Sequence, residues 1–207
     1  MFVSDTNAIF LRSLLYRIII ALFCSLIHAK TYDLVIIGDS ISSGYGVDYE
    51  KSWVPLWSKD LPCIKSIRNM SVQGATTQDG IDNLAYFYQD NQADWALIAL
   101  GGNDALRGLP IQDISARLTT MIKIAKTNRS KTLLMATDLP PNYGPAYRAA
   151  YQKVFQRVAK KHRVPLLYLP FPESDGYIQA DGIHPNEAGH QLIAQSAQQL
   201  TDYICNK

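Results

Sequence analysis

Apolar and polar positions alternate along the chain in two rhythms. Short continuous apolar runs recur at Tyr32–Ile37, Ile64–Asn69, Trp95–Leu100, Thr132–Ala136 and Val164–Leu169. Runs of this length, rich in β-branched residues and closed by glycine or polar clusters, predict buried strands. Between them the period lengthens to that of a helix. Trp53, Leu56, Trp57 and Leu61 share one face of a predicted helix over 52–61. Ile81, Leu84, Ala85 and Tyr88 do so after a capping Thr77, and Ile111, Ile114, Leu118, Met121, Ile122 and Ala125 form a long amphipathic stripe. Further helices are predicted over 146–162 and 186–204. Strands and helices alternate throughout. The pattern therefore predicts one α/β domain of three layers, α/β/α, with a mainly parallel sheet of five strands.

The first 29 residues follow neither rhythm. Arg12 and Arg17 precede an apolar run from Ile18 to Ile27, and Ala29 follows. A basic region, a short apolar core and a small residue predict a secretory signal peptide over 1–29, with the domain occupying 30–207. The run is shorter than the roughly 20 residues that span a bilayer, so stable membrane insertion is not expected. Composition adds little beyond this. The chain carries 20 basic and 18 acidic residues. Losing Arg12, Arg17 and Asp5 with the leader leaves 18 against 17, which gives no electrostatic case for nucleic acid. A periplasmic or secreted monomer acting on a small molecule is the expectation. Cys63 and Cys205 would remain, in a compartment where a disulfide persists, but spacing alone leaves their pairing open.

In a parallel sheet the chemistry collects beyond the carboxyl ends of the strands. The first strand runs into Gly38-Asp39-Ser40, and the second into a loop containing Gly74. The third runs into Gly101-Gly102-Asn103-Asp104, and Asp181-Gly182-Ile183-His184-Pro185 precedes the last helix. This set suits acyl transfer. A serine hydroxyl needs a base, an imidazole titrates in the right range, and a carboxylate fixes its tautomer. Ser40, His184 and Asp181 fill those roles. The Ser40 amide, the Gly74 amide and the Asn103 carboxamide supply donors for the oxyanion. The four histidines lack metal-ligand spacing, so no metal is expected. Ser42 stands where a Gly-x-Ser-x-Gly elbow needs its second glycine, which argues against an α/β-hydrolase fold.

These four segments resemble the four blocks of the SGNH, or GDSL, hydrolase superfamily, whose name residues fall on Ser40, Gly74, Asn103 and His184. Ala99-Leu-Gly-Gly-Asn-Asp-Ala-Leu-Arg-Gly108, Leu139-Pro-Pro-Asn-Tyr-Gly144 and Asp181-Gly-Ile-His-Pro-Asn186 are similar to the branch of bacterial periplasmic acyl-CoA thioesterases, lysophospholipases and arylesterases. The resemblance implies a flavodoxin-like sheet of order 2-1-3-4-5, no cofactor, a triad Asp at Asp181, and Asn142 and Tyr143 beside the substrate. In relatives an acidic residue commonly follows the second-block glycine, where Ala75 stands here. Two other readings remain open on the residues: a carbohydrate O-deacetylase, and a non-catalytic ligand-binding protein with phosphate at Ser42-Ser43-Gly44.

Overall fold

The computed structural model describes residues 29–172 and 175–205. The leader predicted over 1–29 therefore lies almost wholly outside the described residues. Residues 31–207 form one compact unit. Five strands make its sheet: β1 (Lys30–Gly38), β2 (Ile67–Asn69), β3 (Asn91–Ala99), β4 (Lys131–Thr137) and β5 (Leu166–Leu169). They pair in the order β2-β1-β3-β4-β5 and run parallel, the flavodoxin-like arrangement. Among the described residues, seven α-helices connect and cover them: α1 (Ser40–Ser43), α2 (Trp53–Ser58), α3 (Thr77–Asp90), α4 (Gly102–Leu106), α5 (Ile111–Thr127), α6 (Pro145–His162) and α7 (Glu187–Cys205).

Strand side chains point alternately to opposite faces, and here both faces are covered. Val35, Ile37, Ile98 and Leu134 pack beneath α3, α5 and α6. Leu34, Ile36, Leu97 and Leu133 pack beneath α2 and α7 with Trp53 and Trp57. This double burial is why the strands read as unbroken apolar runs. The second strand is shorter than the run 64–69 predicts, and the fifth begins after Pro165, which lacks the N–H a ladder needs.

Cys63 and Cys205 form a disulfide, with Cα atoms 5.5 Å apart. It ties the end of α7 to the loop between α2 and β2. His190, on α7, is fully buried, and its Nδ1 accepts the Trp53 backbone N–H at 3.2 Å. Burial and the neighbouring His184 charge push its pKa down to about 4, so it is a neutral packing residue. No helix among the described residues is long and apolar enough to cross a membrane.

Candidate active site

All five strands end on the side where the site lies. β1 stops at Gly38, and Asp39 caps α1 by accepting the Ile41 N–H at 3.0 Å. Gly44 ends that single turn in the left-handed conformation, with φ +77°. Ser40 thus sits on the first helical residue, only 8% exposed. Ser42 is buried, and the Ser43 hydroxyl donates to the Ser40 carbonyl at 3.1 Å. The Ser42 hydroxyl is closed off from solvent and the Ser43 hydroxyl is engaged, so neither side chain presents itself to a phosphate.

Ser40 Oγ lies 2.9 Å from His184 Nε2, and His184 Nδ1 lies 2.6 Å from Asp181 Oδ2. The other oxygen of Asp181 accepts the backbone N–H groups of Ile183 and His184, both at 2.9 Å. This is an Asx turn that sets the imidazole and its carboxylate relative to one another by local geometry. Burial pushes the Asp181 pKa up, but the two backbone donors and the imidazole together hold it below its ordinary value. The carboxylate is therefore charged at neutral pH. The segment is clamped from outside by Gln179, whose Nε2 donates to the carbonyls of Tyr45 and Pro185, each at 2.9 Å. The Tyr45 ring covers the His184 ring with centroids 4.5 Å apart.

The second loop presents Gly74 with φ +73°. The Ala75 N–H donates to the Val72 carbonyl at 3.1 Å, so residues 72–75 make a turn whose third residue has positive φ. That is the type II pattern, which favours glycine at this place. α3 then starts with a capping box between Thr76 and Asp79, one residue earlier than the Thr77 cap predicted from sequence. Asn103, on α4, donates its Nδ2 to the Ala75 carbonyl at 3.1 Å. The next residue, Asp104, is fully buried and accepts the Thr77 N–H at 2.8 Å and the Thr77 hydroxyl. Asp104 thus orients the loop. Asp39 completes the floor. Burial drives its pKa up to about 6, although the Ile41 N–H opposes the shift.

Ser40, Asn103 and His184 line one cavity, and the Gly74 turn is joined to it through the Asn103 bond to the Ala75 carbonyl, but Asn142 and Tyr143 stand apart. A cavity of about 450 Å³ opens beside Ser40 and His184. Leu106, Leu139, Leu169, Phe171, Leu192 and Ile193 are among its apolar walls. Asn142 and Tyr143 are not among its lining residues. Tyr143 instead donates its hydroxyl to the Leu106 carbonyl at 3.2 Å and stacks on Tyr147, so it props the α4 turn from behind. Sequence reasoning missed α7 as a cavity wall. Gly189, Leu192, Ile193 and Ser196 repeat at one helical face, and that spacing was the available signal. It also missed Tyr45 and Gln179, for which no sequence pattern existed. Among the described residues, no group of three or more histidine, cysteine or carboxylate side chains is placed to hold a metal.

A parallel sheet of order 2-1-3-4-5, with a serine, an imidazole and a carboxylate in hydrogen-bonded sequence beyond its strand ends, defines a serine hydrolase of the SGNH class. The chain belongs to the GDSL-like Lipase/Acylhydrolase family, whose profile matches residues 36–192. It is similar to the Thioesterase 1/protease 1/lysophospholipase L1 of Escherichia coli (strain K12), 35% identical over 177 residues that cover 83% of this chain and 84% of that one. It is also similar to the Esterase TesA of Pseudomonas aeruginosa, 34% identical over 192 residues covering 90% and 96%. A crystal structure of TesA superposes with a TM-score of 0.78 at 32% identity, covering 84% of this chain and 99% of that one. The protein is accordingly an ester hydrolase of the serine type.

Proposed function

We propose that this protein hydrolyses carboxylic esters and thioesters of apolar acyl groups through an acyl-enzyme on Ser40. The observation that carries the reading is the hydrogen-bonded series Ser40–His184–Asp181 at the mouth of an apolar cavity. Ser40 Oγ attacks the acyl carbon while His184 Nε2 takes its proton. Charged Asp181 holds the imidazole with its proton on Nδ1 and stabilises the cation that forms. The oxyanion accepts from the N–H groups of Ser40 and Gly74 and from Asn103 Nδ2, which keeps its 3.1 Å bond to the Ala75 carbonyl and gives up the long, 3.5 Å one to Asp39 Oδ2. His184 then gives its proton to the departing alcohol or thiol. Water, deprotonated by the same imidazole, releases the acid and restores Ser40.

The cavity supports an acyl chain longer than acetyl, because its walls are side chains of leucine, isoleucine, proline and phenylalanine. The E. coli relative is named as a thioesterase and lysophospholipase, and the P. aeruginosa relative as an esterase, in keeping with thioester, aryl ester and lysophospholipid substrates. Export, removal of residues 1–29 and a domain over 30–207 fit the leader pattern and the Cys63–Cys205 disulfide, which persists in an oxidising compartment. One chain supplies every group of the site, so the protein is expected to act as a monomer without cofactor.

The test is hydrolysis of p-nitrophenyl esters from acetyl to palmitoyl, and of palmitoyl-CoA, by residues 30–207 and by its Ser40→Ala variant. Activity beyond acetyl that vanishes in the variant is the expected result. Activity confined to the acetyl ester, together with release of acetate from an acetylated sugar, would favour the deacetylase instead. Retained turnover in Ser40→Ala would defeat the acyl-enzyme.

A further inference from the structure

Arg107 is an exposed cation that the mechanism above does not use. It follows Leu106 as the cap of α4, and its N–H donates to the Asn103 carbonyl at 3.1 Å. Its Nη2 donates to the Gly74 carbonyl at 2.8 Å across 33 residues of sequence. The approach is close. A methyl group built on Gly74 would come within 3.3 Å of that same nitrogen.

The 74–75 peptide is therefore held at both atoms. Its oxygen is bound by Arg107, and its N–H by the Val72 carbonyl at 3.1 Å. The next carbonyl, of Ala75, is bound by Asn103 Nδ2. Two side chains of one short helix thus grip two consecutive carbonyls of the glycine turn. Both grips run from α4 and its cap, and Asn103 itself sits on that helix. Without Arg107 the glycine turn would be tied to α4 only through the Asn103 bond to Ala75 and the Asp104 bonds to Thr77, both of which lie beyond Gly74 in the chain. Gly74 and its N–H could then drift relative to Asn103.

We propose that Arg107 is a positioning residue of the oxyanion hole, which holds the turn at Gly74 so that its N–H faces the oxyanion. This rests on the reading of Ser40 and Gly74 given above. Ala75 sharpens the point, because it offers the loop no polar side chain and leaves the hold to groups on α4 and to the capping box. The proposal differs from a head-group contact in what it predicts. A positioning role affects every substrate through kcat, whereas a contact with an anionic leaving group affects only substrates that carry one, through KM.

The experiment compares wild type, Arg107→Ala and Arg107→Lys on p-nitrophenyl butyrate and butyryl-CoA, with melting temperatures measured for each. Arg107→Ala is expected to lower kcat 10- to 100-fold on both substrates, a share of what one oxyanion donor supplies. KM should stay within twofold, and millimolar guanidinium ion should restore several-fold of the loss. Phosphonylation of Ser40 by a neutral phosphonate ester should slow in parallel. In a Gly74→Ala background the Arg107→Ala substitution should cost less than threefold more, because both act on one peptide. An unchanged kcat, or a loss confined to KM for the CoA thioester, would overturn the proposal. Ser40→Ala, run alongside, separates its failure from that of the acyl-enzyme, since retained activity there would defeat only the latter.

Discussion

The two halves of the site are held by different means. Gly74 and Asn103 depend on bonds between distant segments: Asn103 reaches Ala75 over 28 residues, and Asp104 reaches Thr77 over 27. Asp181 and His184 are joined to each other by bonds that span two or three residues, with one outside tie through Gln179 to the Tyr45 carbonyl. The first half is enclosed, with Asp104 fully buried and Ser40 nearly so, while the Asp181 side chain is 38% exposed. A cradle built from tertiary bonds couples activity to stability. A local turn does not, so its chemistry can be removed while the fold remains.

Substitutions can break this contrast, and the largest expected effect is on Ser40. Ser40→Ala should lower kcat by roughly 10⁶-fold, as loss of a triad nucleophile does elsewhere, with an unaltered melting temperature. Asp181→Asn should come next, at roughly 10⁴-fold, because the amide offers its hydrogen where the imidazole needs an acceptor. Its carbonyl oxygen can still take the Ile183 and His184 N–H groups, so thermal stability should move by less than about 0.5 kcal/mol. Unfolding of that variant would show that the loop is not autonomous.

Stability effects sharpen the other side. Reducing the Cys63–Cys205 disulfide, which closes a separation of 142 residues, should cost up to about 5 kcal/mol on the chain-entropy account. Denaturant titration with and without reductant would measure this. Activity below the transition should hardly change, because the bond lies at the far end of α7. Asp104→Ala should cost about 3 kcal/mol by leaving the buried Thr77 N–H and hydroxyl without their acceptor. It should also lower kcat, since the Gly74 turn leads directly into that cap. A loss of stability with intact kcat would separate cradle from catalysis.

The smallest effect is one of pH. Asp39 has its folded pKa raised to about 6, so it favours the folded state while protonated, and that contribution is lost as pH rises from about 4 to 6. His190 has its folded pKa lowered to about 4, so the unfolded chain binds the extra proton, and stability rises as pH climbs from about 4 to 6.5. Each amounts to about 3 kcal/mol with opposite sign, so the two oppose one another across that window, while His162, whose pKa burial also lowers, adds to the rise. Asp39→Asn keeps a capping oxygen but removes the first contribution. The variant should then gain about 3 kcal/mol more than the wild type between pH 4 and 6.5 in urea titrations. Identical profiles for the two proteins would contradict the assignment to Asp39.

The sequence by itself determined the layered α/β architecture, because double burial of parallel strands writes unbroken apolar runs and amphipathic helices between them. It determined the Asp181–His184 unit as well, since a three-residue spacing closes on itself. The candidate positions of Ser40, Gly74 and Asn103 were legible as strand-end residues and through family resemblance. Only tertiary structure decided what holds them. The Asp104 bonds to Thr77, the Arg107 grip on Gly74 and the Tyr45 ring over His184 join segments whose separation leaves no pattern in the chain. The same limit applies to the cavity. Leu139, Phe171 and Leu192 belong to three different segments, and their meeting depends on how α7 packs across the sheet edge. Periodicity records which face of an element is apolar. It does not record which distant element that face will meet.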